Sequence, residues 1–318
     1  MELPTELFNT IWYFCVYSLM ALPLTLSYRV SKILNFAHGI YITLGAYAAI
    51  LIAAGLGTKI SPLIAIPASF FIGSLIAVLV HWLAFSPLIK RNSSLVTLMI
   101  ASMGIWIFIK YAFYAIIDVL QKAWLTSLFY TTPNIDLQGE LSLLGVDVSA
   151  RFMFVLGMTL IIFCLLAFFL TKTKTGMAIR AVADNPDLAQ ISGISRDKIM
   201  LVTWIISGGL AGIAGFTWSL FTYVSLEAGD VMILPVFACS VIGGLTSLPL
   251  TLLGAGVISS AENVLIVILY RFAGVGLSFR PFFSFFTLLA AILIRPPLGA
   301  GGGLPYRYKL RDLLRRRP

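Results

Sequence analysis

The sequence predicts an all-α, polytopic integral membrane protein. Of its 318 residues, 59% are hydrophobic and only 11% are charged. Soluble domains carry about a quarter charged residues, so a soluble fold could not cover its own surface. Apolar runs of about twenty residues, long enough to cross a bilayer as helices, recur along the chain. They are continuously apolar rather than alternating, which argues against a β-barrel. The net charge of +9 lies in short loops and the tail. That is a positive-inside pattern and not a nucleic-acid surface.

The first apolar run covers Phe8 to Ser27, with Pro23 able to kink it. Glu2 and Glu6 precede it and no basic stretch does, so it reads as a retained span and not a cleaved signal peptide. Arg29 and Lys32 mark an inner edge. The second span holds Asn35, His38, Gly39 and Gly45 in or beside it and fades at Gly55 to Gly57. A third covers Pro62 to Phe85, and Lys90 and Arg91 return the chain to the inner side. The fourth covers Leu95 to Ile117, with Lys110 read as a snorkelling side chain.

Residues 118–151 form a polar external loop, in which Asp118, Asp136, Glu140 and Asp147 outweigh Lys122 and Arg151. A fifth span runs from Phe152 to Leu170. Residues 171–198 are a charged island between apolar blocks, and they read either as a docking loop or as a solvated connector. The sixth span, Ile199 to Thr222, carries Gly208, Gly209, Gly212 and Gly215, a small-residue face suited to tight packing. The block Val231 to Ile294 is interrupted by Gly243, Gly244, Pro249, Gly254 and Gly256, then by Arg271 and Arg280. Its length fits three crossings, about nine in all, with a range of eight to ten. The chain thus reads as one transmembrane domain, 1–318. Its N-terminus is placed outside and its basic tail, 300–318, in the cytoplasm.

Two segments stand out inside the apolar blocks. Asn35 and His38 at membrane depth need partners in protein or in a water-filled cavity. They either line a translocation route or lock helices together. Gly39 and Gly45 in the first half and Gly243 and Gly244 in the second interrupt their spans in both halves. Paired interruptions point to a pathway, and ordinary glycine-mediated packing is the alternative.

Much chemistry is missing. The chain has no G-x-x-x-x-G-K-[ST] motif, so ATP binding by the chain itself has no support. His38 and His81 make no metal-site spacing, and Cys15, Cys164 and Cys239 lie scattered within apolar runs. No cofactor or metal is therefore expected on the chain. Glu262 is the main intramembrane carboxylate, and ion-driven pumps usually need such groups in series. The remaining economical reading is a passage driven from outside the chain through residues 171–198. There Asp184, Asn185, Pro186 and Asp187 can cap a short helix that Leu188, Ala189, Ile191 and Ser192 extend and Gly193 ends.

At these residues the chain resembles the permease subunits of prokaryotic ABC importers for branched-chain amino acids, the LivH-like subunit. Leu34-Asn35-Phe36-Ala37-His38-Gly39 and Leu44-Gly45-Ala46-Tyr47 are similar to the family's N-terminal signature. Residues Gly176 to Pro186 resemble its cytoplasmic signature, and Val241 to Leu245 and Arg295 to Gly299 complete the set. Asp187-Leu188-Ala189, with Gly193 after them, resembles the E-A-A-x-x-x-G coupling pattern, with Asp for Glu and Leu for the first Ala. Thr246 stands where a third glycine is usual, and Leu250-Thr251 replaces a usual Gly-Ala. The resemblance implies a plasma-membrane transporter subunit and not an enzyme. It implies a related second permease (LivM-like), two ATPase subunits that use the ATP, and an extracytoplasmic binding protein. Leucine, isoleucine and valine would be the cargo, and urea, amides or other amino acids the alternatives within the family. A self-contained channel or ion-coupled carrier is the alternative outside it. Arg180, Asp184, Asp187, Leu188, Ala189 and Gly193 would then couple to the ATPase.

Overall fold

The computed structural model describes residues 3–294 except 126, 134, 136, 138, 144, 145, 275, 277 and 278. The basic tail and the Arg295 to Gly299 motif lie outside the described residues. The chain is mainly helical: α1 Leu3–Ser31, α2 His38–Leu56, α3 Pro62–Val80, α4 Ser86–Lys90, α5 Leu95–Trp124, α6 Ala150–Lys172, α7 Lys174–Asp184, α8 Pro186–Ile191, α9 Arg196–Ser219, α10 Ala228–Ile242, α11 Leu248–Ser260, α12 Ile266–Ala273 and α13 Arg280–Ile294. A π-helical turn, His81–Phe85, joins α3 to α4, and another, Ala261–Leu265, joins α11 to α12. Among the described residues, seven helical segments are long and apolar enough to cross a membrane, and α10 and α13 are shorter apolar helices. The polytopic bundle is thus as the sequence predicts, while of its about nine expected crossings seven are spanning helices by length and composition and α10 and α13 are shorter.

Local chemistry sets the ends. Ser61 caps α3 ahead of Pro62, Ser94 caps α5 and Ser149 caps α6, each side chain accepting from a backbone N–H of the first turn. Gly57 ends α2 in the left-handed region at φ 62°. Helices α5 and α6 both reach into the polar stretch 118–151. Between them lie strands β1 (Tyr130–Thr131), β2 (Glu140–Leu143) and β3 (Val146–Ser149). β2 and β3 form a hairpin, while β1 pairs antiparallel with β4 (Val224–Ser225). That pairing ties this stretch to the α9–α10 connection.

Where α2, α3 and α9 cross, backbone packs directly on backbone. A Cβ on Gly45 would lie 2.2 Å from Gly212 Cα, and one on Gly73 would lie 2.2 Å from Gly208 O. Such approach lets α9 sit between α2 and α3, with Ser69 Oγ donating to Gly45 O at 2.7 Å.

The two halves repeat one plan in opposite sense. Each runs long helix, non-helical connection, central helix, helix broken by a π-turn, final helix: α1 to α5, then α9 to α13. Helices α1 and α9 lie antiparallel. Trp12 stacks on Trp218 at 5.3 Å, while Val30 shares a buried cluster with Ile199. The first π-turn packs on α9, with His81 and Phe85 stacked on Trp204. The second packs on α1, where Tyr17 donates to Glu262. The central helices α2 and α10 meet near their starts, where a Cβ on Gly39 would come within 2.8 Å of Gly229 O. The structural counterpart of the His38–Gly45 segment is therefore the start of α10, and not Gly243–Gly256 as glycine spacing implied. A lone Gly229 has no compositional signal, whereas the glycine-rich run after it has a strong one.

Candidate functional site

The charged island folds into two short helices. Thr173 caps α7, its Oγ1 accepting from Gly176 N at 3.0 Å. A Cβ on Gly176 would lie 2.0 Å from Phe169 O, so the tight turn out of α6 requires glycine. Gly176, Ile179, Val182 and Ala183 recur on one face of α7 and are buried. That face joins Leu22, Leu26 and Val30 of α1 and Leu166 and Leu170 of α6 in one cluster.

Helix α8 follows. Asn185 caps it, accepting from Leu188 N at 3.0 Å, with Pro186 in the first turn. Asp187 stands in that turn, where the helix dipole favours a carboxylate. Gly193 at φ +85° ends the segment. Its N–H reaches Gln190 O, and Ile194 N reaches Ala189 O, both at 3.0 Å. Ala189 is buried and anchors α8 to the bundle, while Leu188 and Ile191 are 59% and 84% exposed. Gln190, Gly193, Ile194, Ser195, Arg196 and Asp197 line an open concavity of about 430 Å³ beside it. A two-turn helix held by one small side chain, offering two bare aliphatic ones, is suited to seating in a partner's cleft.

Asp184 pairs with Arg29 of α1 at 3.1 Å. With its carboxylate mostly in solvent, that pair contributes at most about 1 kcal/mol. Lys32 Nζ donates to Ala183 O at 3.4 Å. Burial, reinforced by the Arg29 charge, pushes the Lys32 ammonium below its ordinary range. Arg180 makes no ion pair among the described residues, and its Nε is buried without a partner.

The inner polar residues gather elsewhere. Lys32 N–H donates to Tyr28 O at the end of α1, yet His38 Nε2 donates to Met20 O at 2.9 Å. The connection therefore climbs back along α1 by about 12 Å. Ile33, Asn35 and Ala37 within it are buried, so this non-helical backbone is sheltered by protein. Asn35 Oδ1 accepts from Ala37 N at 3.0 Å and its Nδ2 donates to Tyr41 Oη at 3.1 Å. Asn35 and His38 are fully buried; in this form His38 ties α2 to α1 through Met20 O, while Asn35 ties the connection to α2 through Tyr41. Gly39 and Gly45 pack in the same layer, against α10 and α9. Gly243 lies apart, in the turn between α10 and α11, where a Cβ would come within 2.5 Å of Thr251 Oγ1. Gly244 beside it takes φ +69° with open space around it. Thr251, an unusual residue for the resemblance, joins Thr25 at 2.9 Å, and Thr25 also donates to Ser240 at 3.1 Å.

For two intramembrane charges, Lys110 and Glu262, the structure supplies the partners. Lys110 does not snorkel; its Nζ lies 2.5 Å from Asp230 Oδ2 and 3.7 Å from Glu227 Oε1. Glu262 accepts from Tyr17 of α1 and Ser284 of α13, joining three helices. The presence of charge inside a span was the available signal in both cases, but the partners lie far away in sequence.

Residues 6–294 match the family model described as branched-chain amino acid transport system / permease component. The chain is 34% identical over 282 residues to the probable branched-chain amino acid transport permease protein LivH of Methanocaldococcus jannaschii, covering 87% of this chain and 86% of that one. It is 26% identical over 298 residues to the high-affinity branched-chain amino acid transport system permease protein BraD of Pseudomonas aeruginosa, covering 92% and 93%. It is 24% identical over 304 residues to the corresponding LivH of Escherichia coli, again covering 92% and 93%.

Proposed function

Because the chain belongs to the branched-chain amino acid transport permease family, we propose that it is one membrane subunit of an ATP-driven importer for leucine, isoleucine and valine. It is a multi-pass transport protein of the membrane. The full transporter adds a related second permease, two ATPase subunits and an extracytoplasmic binding protein. ATP is bound and hydrolysed on the partners. The basic end of the bundle, with Arg29, Lys90, Arg91, α7 and α8, faces the cytoplasm, as the positive-inside rule favours. The tail lies on that side and the N-terminus on the other.

The observation that carries the coupling role is α8: a capped helix at that end with Leu188 and Ile191 exposed. An ATPase cleft would take those side chains and bear on Asp187. Movement of α8 would reach α7 through Ala189, and α1 through the Leu22, Leu26 and Val30 seam. Arg180 and Asp184 would brace that joint, and Asn35, His38, Gly39, Gly45, Gly243 and Gly244 would form the elements that part or slide when the route opens.

Reconstituted proteoliposomes holding all four kinds of subunit test this reading. ATP should drive accumulation of labelled leucine, with isoleucine and valine competing and urea and short amides not. Leucine flux through the permeases alone would overturn it in favour of a self-contained channel or carrier.

A further inference from the structure

Lys110 sits roughly four turns from either end of α5. No other described Lys or Arg lies so far inside a spanning helix. Charge at such a depth is costly, and its default reading is functional. Its surroundings carry both signs. Asp230 Oδ2 is 2.5 Å away and Glu227 Oε1 is 3.7 Å away. Trp106 Nε1 donates to Asp230 Oδ1 at 2.8 Å, and Tyr114 Oη donates to Glu227 Oε1 at 3.4 Å.

The position of this cluster is as telling as its chemistry. Asp230 belongs to the first turn of α10, next to Gly229, whose backbone presses on Gly39. This is the seam where the central helices of the two inverted halves meet. Phe36, Gly39, Trp106, Gly229, Asp230 and Ile233 line a small cavity of about 30 Å³ there. The side chains of Lys110, Asp230 and Glu227 are 12%, 24% and 61% exposed. The charges thus lead from the packed seam out to solvent.

We propose, building on the amino-acid cargo assigned above, that Lys110 and Asp230, with Glu227 beside them, recognise the α-carboxylate and α-ammonium of the cargo at this seam. Every α-amino acid presents that pair of charges whatever its side chain. Lys110 and the Trp106 indole supply donors for the carboxylate. Asp230 and Glu227 supply acceptors for the ammonium, and Phe36 and Ile233 supply an apolar wall. In the present form the protein's charges satisfy one another, and the cavity has room for little more than a water. Cargo enters when the Lys110–Asp230 pair separates, its two charges replacing each partner for the other. A pair that merely locks α5 to α10 behaves differently, because apolar replacement of a buried ion pair is commonly neutral or stabilising.

The test uses the fully assembled transporter in proteoliposomes with labelled L-leucine. Leucinamide, lacking the carboxylate, and 4-methylpentanoate, lacking the ammonium, serve as competitors. Lys110→Met and Asp230→Asn should each raise the leucine KM by about tenfold or more, a loss of about 1.4 kcal/mol per decade. Lys110→Met should also weaken selection against leucinamide, and Asp230→Asn selection against 4-methylpentanoate. The double replacement Lys110→Met/Asp230→Leu should not recover, nor should the swap Lys110→Asp/Asp230→Lys, which keeps the ion pair and with it the fold. A wild-type KM and selectivity in the double or swapped variant would overturn the inference and leave the proposed function standing. Failure of the unaltered transporter to import any α-amino acid would instead overturn the proposed function, and this assignment with it.

Discussion

Gly193→Val is expected to reduce coupled uptake more than tenfold while leaving the bundle assembled in the membrane. Gly193 holds φ +85°, and a Cβ placed on it would meet nothing within 4 Å. The cost is therefore one of backbone conformation and not of collision, about 1–2 kcal/mol for an L-residue and more for a β-branched one. That cost falls on the turn that closes α8, where Gly193 N and Ile194 N bond the carbonyls of Gln190 and Ala189. The apolar core of α1, α2, α3 and α9 is untouched, so membrane content should match the unaltered chain. Gly193→Asn, which tolerates the left-handed region, should retain most activity. Uptake normalised to the amount of assembled transporter measures the series. Full activity in the valine variant would remove α8 geometry from the mechanism.

Gly45→Val should act in the opposite manner, abolishing assembly itself. Its new Cβ would lie 2.2 Å from Gly212 Cα, 2.3 Å from Gly212 O and 2.6 Å from Gly212 C. No side chain can swing aside, because the obstacle is backbone. Helices α2 and α9 would have to part, costing the close approach of Gly215 to Ile42 O as well. Overpacking of a well-filled core costs about 1–3 kcal/mol or more, and here it strikes the crossing on which the other helices assemble. Size-exclusion profiles in detergent should show loss of the monodisperse species. Gly104→Ala, with nothing within 4 Å of its Cβ, is the matched control and should behave as the unaltered chain. A monodisperse Gly45→Val protein would contradict the packing described.

How much was legible in advance follows from which forces act locally. The spans were, because a bilayer imposes length and apolarity on each one separately. So was α8, because Asn185, Pro186 and Gly193 encode a cap, a first turn and a stop at neighbouring positions. The inverted repeat was not, since its two halves share backbone plan rather than residues. The π-turns were not, since His81–Phe85 and Ala261–Leu265 have no compositional mark. Lys110 was misread because its partners Glu227 and Asp230 become neighbours only on folding. Asn35 and His38 were legible as polar groups needing partners, but their choice of Tyr41, Ala37 and Met20 depended on a connection that runs back into the bundle. Gly243 drew attention through composition, though its contact is a local one with Thr251.

The decisive measurement concerns what α8 touches. A photo-crosslinking residue placed at Leu188 or Ile191 in the assembled transporter should, on illumination, yield an adduct identified by mass spectrometry as the ATPase subunit. The same probe at Phe168 on α6, exposed but outside α8, should not. Adducts at 188 and 191 confined to lipid, or to another part of this chain, would contradict a driven permease coupled through this helix.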